Sequence, residues 1–92
     1  NAEEEKLLLV SQKEMVVASP LKVPSRNITG ARDALMAGLV YGFARDYSLK
    51  EIACWANAFK AAWISNSRYE DIDRSAVFTL RERAEAISIP ML

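Results

Sequence analysis

The chain has 92 residues, 51% of them hydrophobic and 26% charged, which fits one small globular unit and excludes a disordered segment or two separate cores. Twelve Lys and Arg balance twelve Asp and Glu, so no basic footprint argues for nucleic acid or an anionic membrane, and no apolar run reaches the ~18 residues of a membrane-spanning helix. With no histidine and one cysteine, Cys54, a histidine-based catalytic triad, a histidine-bearing zinc site and an internal disulfide are all excluded.

The opening residues, Asn1 to Lys6, are acidic where a secretory leader is basic, so the chain is expected in the cytoplasm. Strand-like sequence fills about residues 6–28. Lys6–Val10 and Glu14–Ala18 are short apolar runs joined by the polar Ser11, Gln12 and Lys13, the pattern of a β-hairpin. Pro20 and Pro24 bracket Leu21–Val23, which predicts a further extended piece at a sheet edge, because proline cannot donate to a ladder. Ser25 to Gly30 then reads as a polar loop.

A helix is predicted over about 31–45. Leu35, Leu39 and Phe43 recur every four residues beside Met36 and Val40, so most of this helix is expected to be buried, packed on a sheet. Ala34, Gly38 and Gly42 form a parallel stripe of small residues that lets another backbone come close. Ser48 and Glu51 form an S-x-x-E capping box that starts a second helix, about 49–65, with Ile52, Trp55, Phe59 and Trp63 on its apolar face and alanines elsewhere. Residues 66–76 are polar. Thr79 and Glu82 suggest another capping box for a short helix over about 79–86, and Ile87-Ser88-Ile89 suggests a last strand.

The order strand, polar loop, helix places Thr29-Gly30-Ala31-Arg32-Asp33 at a helix N-terminus, where unpaired N–H groups and the helix dipole attract phosphate. A carboxylate in that first turn, Asp33, can also reach a hydroxyl group lying across the anion pocket. Thr29 and Asp33 equally suit a plain helix cap, so the five residues by themselves leave both readings open.

The longer segment Asn27-Ile28-Thr29-Gly30-Ala31-Arg32-Asp33-Ala34-Leu35-Met36-Ala37-Gly38-Leu39 closely resembles the second signature of the PfkB (ribokinase-like) carbohydrate kinases, N/D-x-T-G-A-G-D-A-F-x-A-G. The resemblance extends over about residues 6–66, and Ala37 to Phe43 with Ile87 to Leu92 look most like the pseudouridine kinase branch. It implies an α/β fold: the C-terminal part of a ribokinase-like three-layer α/β/α structure, with a β-hairpin followed by two main helices. Residues 1–92 would then be a single unit, a C-terminal fragment of a longer kinase domain, in keeping with Asn1 in place of an initiator methionine.

The resemblance also implies site roles. Asp33 is expected to be the base that takes the proton from a sugar or nucleoside hydroxyl as it attacks the γ-phosphate of ATP, worth about 10² to 10⁴ in rate. The N–H groups of Gly30, Ala31 and Arg32 are expected to form the anion hole. Asn57 falls where the family places a residue near the adenine, a position that also suits an ordinary polar residue on a helix surface. Asn27 and Thr29 fall where cation-sensitive members begin a K⁺ loop. The cofactors implied are ATP with Mg²⁺, and K⁺.

Two departures bear on activity. Arg32 stands where the signature has glycine; a left-handed backbone there would cost an arginine about 1 kcal/mol, and its side chain could fill the hole or instead grip phosphate. Phe59 and Lys60 stand where the family keeps small residues beside the nucleotide. The sugar pocket of the family lies outside the matching segment, so the isolated chain is expected to be inactive. The alternative reading is a non-catalytic, degenerate kinase tail that forms a homo-oligomer through apolar faces carrying Leu39, Phe43, Trp55, Phe59 and Trp63.

Overall fold

A computed structural model describes residues 5–66 and 74–91. Strand β1 (Leu7–Val10) and strand β2 (Glu14–Ala18) form the predicted hairpin, closed by Ser11, whose Oγ accepts the N–H groups of Lys13 and Glu14 at 3.2 Å each. Helix α1 (Ala31–Ala44), helix α2 (Leu49–Ser65) and helix α3 (Arg74–Arg83) follow, and strand β3 (Ile87–Pro90) returns to the sheet. All pairing is antiparallel, in the order β1-β2-β3. Among the described residues the chain thus carries a three-stranded antiparallel sheet and three helices, an α/β arrangement. No helix of the described residues is long and apolar enough to cross a membrane.

Three sequence expectations need correction. Leu21–Val23 is not a strand: it crosses the helices as coil, with Leu21 and Val23 half-buried, because the flanking prolines leave it too few N–H donors for a ladder. Thr79 does not cap a helix. It lies inside α3, its Oγ1 donating to the Ser75 carbonyl at 3.0 Å, so the helix begins earlier and ends before Ala84. The polar stretch at 66–76 lies largely outside the described residues.

The third concerns α1, which was expected to bury its large residues on a sheet. It packs on α2 instead and buries Ala31, Gly38 and Gly42, while Met36, Val40 and Phe43 are exposed. Glycine decides the orientation. A Cβ on Gly38 would lie 2.5 Å from the Ala56 Cα, so only a bare backbone admits this approach.

Helix α2 is the centre of the molecule. The Ser48 Oγ accepts the Glu51 N–H at 3.2 Å, as the capping box predicts, and eleven α2 residues are buried. One face, including Ala53 and Cys54, meets Leu7, Leu9, Val16 and Ala18 of the sheet; the Cys54 thiol faces the Ala84 carbonyl, and burial pushes its pKa up. Another meets α3 through Val77 and Leu80, and a cluster of Tyr41, Trp55, Phe59 and Phe78 with ring centroids 5.0–5.3 Å apart fills the junction with α1.

One ion pair ties α3 to α2. Arg81 grips the Glu51 carboxylate with two nitrogens, Nε at 2.8 Å and Nη2 on the other oxygen, in a partly buried setting. The arginine holds the Glu51 carboxyl below its ordinary range. A depressed carboxyl pKa stabilises the fold above the ordinary range, and that contribution disappears as the pH falls through the folded value. Arg81→Met is therefore expected to lower stability near pH 7 by about 1 kcal/mol and much less in acid. Urea unfolding at both pH values measures the difference; an equal loss at both would show that packing of the Arg81 stem is responsible.

Candidate functional site

The loop before α1 is fixed by the C-terminal end of α2. The N–H groups of Arg26 and Asn27 both donate to the Ile64 carbonyl, at 2.7 and 3.0 Å. Two residues on, the Trp63 indole Nε1 donates to the Thr29 carbonyl at 2.6 Å. Gly30 turns the chain into the helix in a left-handed conformation, φ 84° and ψ 7°, with the Trp63 ring against it: a Cβ there would lie 3.2 Å from Trp63 Cζ2. The Gly30 carbonyl then receives the Ala34 N–H at 3.0 Å, and α1 is under way.

This entry leaves the helix end open. No side chain caps α1, and among the described residues the N–H groups of Gly30, Arg32 and Asp33 find no acceptor. The Ala31 N–H is already used, donating to the Ile28 carbonyl at 3.1 Å. Asp33 sits exposed in the first turn. Gly30, Ala31, Arg32 and Asp33 lie together at the start of α1, but the Ala31 N–H, expected in the anion hole, is spent on Ile28; the side chain of Thr29 is exposed and Asn27 half-buried beside them.

Arg32 carries no backbone strain. The left-handed residue is Gly30, and among non-glycine residues positive φ is found at Asp46, so the cost foreseen for an arginine at the signature glycine does not arise. Its side chain is 73% exposed and pairs with the Glu5 carboxylate, Nη2 to Oε1 at 2.5 Å.

Asn57 stands about 9 Å along α2 from Trp63 and is 1% exposed. Its Nδ2 donates to the Ser19 carbonyl at 3.0 Å, while its buried Oδ1 has no hydrogen-bond partner among the described residues. Ser19 in turn lines an open cavity of about 480 Å³ together with Lys6, Leu21, Lys22, Ser25 and Ile64. Asn57 therefore backs the wall of a groove that runs up to the loop anchor at Ile64. Lys60, one turn before Trp63, is buried, and burial lowers its ammonium pKa while Glu5 opposes the shift. No group of three His, Cys, Asp or Glu side chains able to hold a metal occurs among the described residues.

Sequence reasoning placed Trp63 among the core aromatics and missed its part in the loop. Its sequence signal is that of any apolar helix position; the indole N–H is the feature that ties it to Thr29.

No family model matches the sequence, and no curated protein matches it. Solved structures do match. A protein assigned as a sugar kinase in Clostridium perfringens superposes with a TM-score of 0.76 and 20% identity, over 99% of this chain and 29% of that one. One assigned as a phosphofructokinase in Staphylococcus aureus gives a TM-score of 0.81 at 15% identity, over 100% of this chain and 29% of that one. The chain spans less than a third of the length of these structures, and across that span its fold is the fold of part of a kinase.

Proposed function

We propose that this chain is the phosphate-holding part of an ATP-dependent kinase that phosphorylates a hydroxyl group of a sugar or nucleoside. The observation that carries the reading is the uncapped N-terminus of α1, with free N–H groups at Gly30, Arg32 and Asp33 and the Asp33 carboxylate in the same turn. Asp33 accepts the proton of the substrate hydroxyl as its oxygen bonds to the γ-phosphorus and the bond to the ADP oxygen breaks. The N–H groups face the negative charge on the transferring phosphoryl group. They are held in place before the reaction by the Trp63 and Ile64 contacts to the loop.

ATP brings Mg²⁺, which neutralises phosphate charge during transfer. The groove in front of Asn57 suits the nucleoside end of ATP, with Lys6 and Lys22 at its lining. A K⁺ ion, if the kinase uses one, takes carbonyl oxygens of the Asn27–Thr29 segment, where the Thr29 carbonyl already receives the Trp63 N–H. Pseudouridine is the first substrate to test, on the resemblance of Ala37–Phe43 and Ile87–Leu92. The isolated 92 residues bind ATP without transferring its phosphate, because the substrate pocket belongs to the part of the kinase that this span does not include.

Amide NMR titration with ATP·Mg²⁺ tests this. Shifts are expected first at Gly30, Arg32 and Asp33. Asp33→Asn retains binding and tightens it a few-fold, since a carboxylate no longer faces phosphate; in a complete kinase carrying this segment the same change costs about 10² to 10⁴ in rate. Absence of shifts at these three amides at millimolar ATP overturns the reading and favours the non-catalytic tail.

A further inference from the structure

The first turn of α1 holds a cation beside its open N–H groups. Arg32, whose own N–H finds no acceptor among the described residues, pairs its guanidinium with the Glu5 carboxylate, Nη2 to Oε1 at 2.5 Å. Glu5 precedes β1 and lies 27 residues away in sequence, so the helix end that favours anions has already gathered one from a distant part of the chain. The pair is weak, because the two side chains are 73% and 47% exposed and water competes for both. The same carboxylate lies within electrostatic reach of Lys60, which is buried on α2 one turn before Trp63, and it favours the charged ammonium against the pull of burial. Two cations from two helices thus share one acid.

The balance of charge gives Arg32 a part in holding phosphate. The dipole of α1 brings about half a positive charge to this end, while the Asp33 carboxylate in the same turn brings a full negative one. Left to these two, the helix end repels ATP·Mg²⁺, which remains an anion. The Arg32 guanidinium reverses the balance, but only when it is free of Glu5, since the pair together is neutral.

We infer that Arg32 binds the polyphosphate of ATP through its side chain, and that Glu5 is an internal anion that occupies Arg32 until the nucleotide displaces it; the inference rests on the phosphate-holding role of this helix end. A phosphate presents a pair of oxygens much as a carboxylate does, so the guanidinium fork that meets Glu5 suits it equally, and a polyphosphate carries the greater charge. No covalent bond changes. One ion pair replaces another, and the phosphate supplies the negative charge that Lys60 loses when Glu5 departs.

Calorimetric titration of the 92-residue chain with ATP·Mg²⁺ at ~0.15 M salt, beside amide NMR, tests the exchange. Arg32→Gln should lower ATP affinity about tenfold. Glu5→Gln removes the competitor and should raise affinity by up to about fivefold. In the Arg32→Gln chain, Glu5→Gln should then change nothing, because both act through one pair. Both side chains are exposed, so circular dichroism should be unchanged in all three variants. An equal gain from Glu5→Gln in both backgrounds would make Glu5 a bare charge and overturn the inference, as would no gain in the parent or an Arg32→Gln chain that binds as tightly as the parent. The amides separate this from the broader role: shifts at Gly30 and Asp33 without the Glu5→Gln gain sink the exchange alone, whereas silence at both at millimolar ATP sinks the phosphate-holding role with it.

Discussion

Gly38→Ala is expected to destabilise the chain by about 2 kcal/mol or more, a large share of the stability of a domain this small. The substitution adds one methyl group to a helix interior position and gains about 1 kcal/mol of helix propensity, so a view of the helix alone predicts stabilisation. The contact predicts the reverse. The new Cβ would stand 2.5 Å from the Ala56 Cα and 2.9 Å from the Trp55 carbonyl oxygen, and neither backbone atom can turn aside. Relief requires α1 to move off α2, which loosens the packing of Tyr41 on Trp55 and Phe59 as well. Gly42→Ala is the control. Its Cβ would meet the Ile52 Cγ1 at 2.8 Å and the Ile52 Cα at 3.1 Å, a backbone approach looser by 0.6 Å than the one at Ala56, so the loss there should be smaller. Urea unfolding of the three proteins gives the comparison; equal losses would mean that the close approach at Ala56 is not what orders the helix pair.

This pair of glycines also shows how far the sequence could be read. The stripe Ala34, Gly38, Gly42 announced a close backbone approach, and the approach is there. The direction of the helix was misread because Leu35, Leu39 and Phe43 formed the stronger hydrophobic pattern, and periodicity finds an apolar face without saying what covers it. Hairpin and α2 boundaries were readable because local chemistry sets them: the Ser11 hydroxyl closes the turn, and Ser48 with Glu51 closes the cap. The start of α3 was not, because Thr79 presents the letters of a cap while its hydroxyl is spent on the turn behind it. Within the candidate site, the five residues from Thr29 to Asp33 were readable as a polar loop turning into a helix start. The tryptophan that holds them was not, because a hydrogen bond from Trp63 to a carbonyl 34 residues earlier has no local signature.

That long-range bond makes Gly30→Ala the sharpest probe of the site. Alanine at φ 84° costs about 1 to 2 kcal/mol on backbone grounds. Its methyl group would also press on the Trp63 ring at 3.2 to 3.4 Å, close to Nε1, the atom that donates to Thr29. The ring can yield only by lengthening that bond, so the loop loses its clamp and α1 its fixed entry. Fold and site should then separate experimentally. Trp63→Phe removes the indole donor together with the part of the ring that packs on Gly30, so it should cost about 1 to 3 kcal/mol of stability. ATP affinity should fall too, at least tenfold for Gly30→Ala and several-fold for Trp63→Phe, because the Gly30, Arg32 and Asp33 N–H groups no longer converge. Combining the two changes should cost less than the sum of each, since both act through one contact. Calorimetric titration with ATP·Mg²⁺ beside urea unfolding measures both quantities. Strict additivity would mean that Trp63 packs on the loop without orienting it, and the open helix end would then be held by the Ile64 carbonyl alone.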